Sequence, residues 1–97
     1  MSLAKLYCRA SKGEEAIETL QGVMGESRSE KAQVLLVSGW AYRLTGDLDA
    51  ALKSLLGATE QAPREAQAFY ELGLVYESKG LKDEALQAYR HALALLY

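Results

Sequence analysis

The sequence predicts an all-α fold of repeated antiparallel helix pairs, and three observations carry that prediction. The chain repeats itself at a spacing of 34 residues. Each repeat holds two stretches with apolar residues three and four apart, the mark of one helix face. Ala, Leu, Glu, Gln and Lys dominate, residues that lose little rotamer freedom on a helix, while β-branched residues and Phe are scarce. At 97 residues and 49% hydrophobic, the chain makes one small folded domain or a piece of a larger one, not a disordered segment.

The repeat shows best between the middle and the end of the chain. Shifted by 34, Ala32 meets Ala66, Gln33 meets Gln67, Gly39 meets Gly73, and Tyr42 meets Tyr76. Gly46 meets Gly80, Asp49 meets Asp83, Ala51 meets Ala85, Leu52 meets Leu86, and Ala58 meets Ala92. These nine identities exceed the roughly three that chance would supply in so Ala- and Leu-rich a chain. They define units of about 1–29, 30–65 and 66–97 within a single domain.

The first unit aligns with the middle one at an offset of 35, through Tyr7 and Tyr42, Ala16 and Ala51, Leu20 and Leu55, Gly22 and Gly57. It lacks its opening residues. The extra residue falls in the polar connector Gly25-Glu26-Ser27-Arg28-Ser29, where an insertion costs little. Glu14 and Glu15 suit a helix start, where exposed amides and the dipole favour negative charge.

In the middle unit, Val34, Leu35, Ser38, Ala41, Tyr42 and Leu44 predict a helix over 31–45. Gly46 is free to take the left-handed conformation that closes it. Asp47 and Asp49 open a second helix whose apolar face runs from Leu48 to Ala58, and Pro63 marks its end. The last unit repeats the plan: Gly80 closes a helix over 65–79, and Asp83 and Glu84 open one running through Leu95. Close pairing is expected where Gly39 or Gly73 faces Ala51 or Ala85.

The pattern resembles the tetratricopeptide repeat, a 34-residue helix–turn–helix unit. In the last unit the match runs Phe69, Leu72, Gly73, Tyr76, Gly80, Ala85, Tyr89 and Ala92; in the middle one, Leu35, Gly39, Tyr42, Gly46, Ala51, Leu55, Ala58 and Pro63. The first unit keeps Ala4, Tyr7, Ala16, Leu20 and Val23. The resemblance implies a right-handed α-solenoid of about three units, the first incomplete, whose concave face is lined by the first helix of each unit.

Carried over position by position, that groove would present Lys5, Cys8 and Arg9, then Gln33, Leu36, Trp40, Arg43 and Leu44, and from the last unit Gln67, Tyr70, Leu74, Glu77 and Ser78. The expected binding residues are Gln33, Leu36, Trp40, Arg43, Gln67, Tyr70, Leu74 and Glu77. An apolar centre with polar ends would accept a helix or extended peptide of a partner protein. Trp40 either anchors such a ligand or packs as core. The Lys, Asn and Arg set with which one subgroup grips chaperone tails is absent, its places taken by Val37, Trp40, Gln67 and Glu71.

Other function classes fare worse. A net charge of −2 does not suit phosphate binding, which speaks against nucleic acid and against the 35-residue repeats that read RNA. No run approaches the ~20 apolar residues of a membrane span, and the opening residues hold no stretch of secretory length. The lone cysteine, Cys8, suits a reducing, cytoplasmic setting, and reads as filler rather than nucleophile. His91 reads as a solvated surface histidine. No converging catalytic group, cofactor motif or metal-ligand spacing appears, so the expectation is a scaffold or adaptor, not an enzyme. A docking domain of a larger multidomain enzyme is the alternative. Leu86, Tyr89, Leu93, Leu96 and Tyr97 would leave the last helix partly bare, so either a longer parent continues the stack or a second copy covers it through the terminal helices.

Overall fold

The computed structural model describes residues 2–23 and 25–97. Six helices follow one another: α1 (Ser2–Arg9), α2 (Gly13–Leu20), α3 (Arg28–Thr45), α4 (Leu48–Gln61), α5 (Ala66–Ser78) and α6 (Lys82–Leu96). They pair as α1 with α2, α3 with α4 and α5 with α6, giving an all-α solenoid of helix pairs. Among the described residues α1 touches α3 and α3 touches α5, whereas α2, α4 and α6 do not touch one another. The layer whose helices approach each other lies inside a curved stack. The inner face is therefore α1, α3 and α5, and the outer face α2, α4 and α6.

Local chemistry sets the boundaries. Ser27 caps α3 by accepting from the Glu30 amide at 3.1 Å, while the Glu30 carboxylate accepts from the Glu26 amide at 3.1 Å. This near-reciprocal cap starts the helix three residues before the apolar pattern does. At its end Gly46 takes φ 86°. The Asp47 amide then reaches back to the Tyr42 carbonyl and the Gly46 amide to that of Arg43. Gly80, at φ 79°, closes α5 with the same two bonds, from Leu81 to Tyr76 and from Gly80 to Glu77. Both are left-handed closures that satisfy carbonyls the helix leaves free. The Asp47 side chain caps α4 through the Ala50 amide at 3.3 Å.

Two cores result. Leu36, Ala51, Leu55, Ala58, Ala68, Leu72, Val75 and Ala88 are buried together between the second and third pairs. Ala4, Cys8, Ala16, Leu20, Val37 and Ala41 form the other, under the first pair. The close approach expected between glycine and Ala51 or Ala85 is displaced by one turn. A Cβ at Gly39 would strike Leu55, and one at Gly73 would strike the Tyr89 ring. The larger side chain lies across the glycine, and the alanine only makes room beside it.

Candidate protein-interaction surfaces

The eight residues expected in the groove occupy four registers, each represented once in α3 and once in α5. The structure does not keep these registers on one surface. Trp40 and Leu74 share one register and Arg43 and Glu77 the next. Leu36 and Tyr70 share another, but Leu36 is 2% exposed, held in the core with Leu72 and Val75. Leu36 is therefore corrected from groove to core, because α5 lies on it. Cys8, expected to face the groove, is likewise buried, its thiol donating to the Val37 carbonyl at 3.9 Å. Gln33 is half-buried in a shallow depression shared with Lys5, Val23 and Val34.

Trp40 lies between its two readings. It packs against the first core yet stays only partly buried. Beside it runs an ion pair that crosses from α3 to α5, Arg43 Nε to Glu71 Oε1 at 2.9 Å. Burial raises the Glu71 carboxyl above its ordinary range, while Arg43 pulls the other way. Farther along, the Tyr89 hydroxyl donates to Glu77 Oε1 at 2.6 Å. Burial and that carboxylate push the phenol up to about 12. Burial, with Glu71 adding to it and Arg43 opposing, pushes the Cys8 thiol up to about 11, so it stays protonated and unreactive at neutral pH.

Gln67 and Tyr70 belong to a second surface, an open cleft of about 460 Å³ at the far end of the stack. Ala66, Gln67 and Tyr70 of α5 form one wall, and Tyr89, Ala92, Leu93 and Leu96 of α6 form the other. The Tyr70 and Tyr89 rings stand 5.9 Å apart across it.

Register reasoning missed the pairing of Glu71, whereas Tyr89, Leu93 and Leu96, expected partly bare on the last helix, do line the cleft. A signal existed for the pairing: Glu71 stands 34 residues after Val37, which is buried, so a charge had entered a core register and needed a partner. His91 is exposed, but its ring stacks on Phe69 with centroids 3.8 Å apart, so it is not freely solvated. Among the described residues no cluster of His, Cys, Asp or Glu is disposed to hold a metal. Among the same residues no helix is long and apolar enough to cross a membrane.

A family profile described as Tetratricopeptide repeat matches residues 1–63 and again 36–96. Among solved structures, the crystal structure of MamA superposes with a TM-score of 0.83 at 29% sequence identity. The match covers 98% of this chain and 55% of the MamA chain, so this chain spans about half its length. No curated relative matches the chain.

Proposed function

This chain belongs to the tetratricopeptide-repeat family, and from that premise we propose that it is a protein-interaction scaffold that seats a peptide or helix of a partner along its inner face. The observation that carries the reading is the pair Trp40 and Leu74. Both are apolar, only half-buried, and sit at one register on adjacent inner helices. Leu74 has no part in either core cluster among the described residues, so its burial is available to a ligand. Arg43 and Glu77 border that strip with charge, which orients a ligand more than it binds one. The bound segment would place apolar side chains over Trp40 and Leu74 and polar groups toward Glu77 and Gln33.

Leu74→Glu tests this without touching the packed side of Trp40. A partner captured from source lysate by the wild type and lost by the variant, with helix content unchanged, supports inner-face binding. Equal capture by both forms overturns it.

A further inference from the structure

The open slot between α5 and α6 has a filled counterpart inside the same molecule. Shifted by 34 residues, Tyr70 corresponds to Leu36, Tyr89 to Leu55, Ala92 to Ala58, and Leu93 to Thr59. Those earlier residues form the slot between α3 and α4, which α5 fills with Ala68, Leu72 and Val75. Among the described residues nothing fills the later slot. Tyr70 accordingly stands 50% exposed.

The opposite end of the molecule carries the matching plug. Tyr7, Tyr42 and Tyr76 share a register, the first two 35 residues apart and the second two 34. On that alignment Leu3 of α1 stands at the register of Leu72, and Leu6 at the register of Val75. Leu72 and Val75 are buried, but Leu3 and Leu6 are 52% and 58% exposed. Residues three apart lie on one side of a helix, so both leucines project together. Ala4 and Cys8, on the other side of α1, are already buried in the first core. Charge agrees in sign near that junction but not in register. Asp49 pairs with Lys79 at 2.6 Å; the equivalent of Asp49 is Asp83, and that of Lys79 is Ala10, next to Arg9 and close to Lys12.

We propose that α1 of one copy docks in the α5/α6 slot of a second copy, setting Leu3 and Leu6 against Tyr70, Tyr89 and Leu93. The junction repeats between molecules the seating of α5 on α3 and α4, and it does not depend on the inner-face reading. The two surfaces differ, so the contact is head-to-tail: each added copy leaves a free slot and a free α1, and chains grow beyond the dimer. One short helix buries less than a standard interface, which makes the association weak and concentration-dependent.

Leu6→Asp blocks the plug and Leu93→Asp blocks the slot. Both positions are exposed, so helix content should match the wild type. By sedimentation equilibrium the wild type should show an average mass rising with concentration past the dimer. Each variant alone should associate at least ~tenfold more weakly, because every junction it can form meets a buried carboxylate. An equal mixture keeps one intact junction, the α1 of Leu93→Asp in the slot of Leu6→Asp, and should stop at a dimer. A wild type that stays monomeric throughout overturns the proposal, as does association that both variants retain or a mixture that stays monomeric. So does a slot that takes an unrelated amphipathic helix while the chain does not bind itself.

Discussion

The two cores of this chain follow one repeat plan and differ in what fills them. Between the second and third pairs, Leu36, Leu55, Leu72 and Val75 supply large side chains. Under the first pair the buried set is mostly small, with Ala4, Cys8, Ala16 and Ala41 beside Leu20 and Val37. The enclosing helices differ as well: α1 and α2 have 8 residues each, whereas α5, the shortest of the other four, has 13. A buried leucine contributes about 1.5–3 kcal/mol by removing apolar area from water, an alanine far less. Helices of two turns are marginal on their own. In a stack where each pair leans only on its neighbours, the first pair is therefore the weakest part of the molecule.

The sharpest challenge to that ranking is a pair of truncations read by urea unfolding. Leu55→Ala should cost about 3–4 kcal/mol, because Leu55 is fully buried and its loss leaves a cavity over Gly39. Leu20→Ala should cost about 2 kcal/mol, since Leu20 retains some exposure and its small-residue core loses less packing. Equal costs would mean that the two cores carry the stack equally.

Arg43→Ala comes next. It strands the Glu71 carboxylate beneath the inner face and should cost about 2–3 kcal/mol at neutral pH, less than for a wholly buried pair because Arg43 keeps 22% of its side chain in solvent. Glu71 has a folded pKa above its ordinary 4.5, so it binds its proton more tightly when folded. Its stabilising contribution is complete below 4.5 and is lost as pH rises through the folded value. Removing Arg43 raises that folded value further. The penalty should therefore shrink as the pH is lowered toward 4.5, and a penalty independent of pH would show that Glu71 is not the group left stranded.

Cys8 reports on the first pair by its reactivity. Its buried, protonated thiol should be alkylated only through opening of α1 and α2, at denaturant concentrations below the main unfolding transition. Labelling that tracks global unfolding would make the two cores one cooperative unit. The smallest effect should come from Asp49→Asn, which removes the exposed partner of Lys79 and should barely move the urea midpoint.

Much of the fold was legible because the rules behind it act over a few residues. Gly46 and Gly80 mark helix ends by a backbone requirement that no other residue meets as cheaply, and the 34-residue period makes each stop appear twice. The interaction surfaces were legible only as registers. Trp40, Leu74, Leu36 and Tyr70 were grouped as groove residues, although Leu36 is core and Tyr70 lines a slot.

Sequence alone determined the period and the helix pairs, because the units match residue for residue, and the turns and the apolar face of each helix, because these arise from neighbours within one or two turns. Tertiary structure decided which inward registers are covered. Leu36 is buried because α5 lies on it, Tyr70 is open because no helix among the described residues lies on the α5/α6 slot, and Glu71 stays buried beside Arg43 because another helix brings the guanidinium to it. Each of those facts turns on a segment some thirty residues away, and local periodicity carries no information about it.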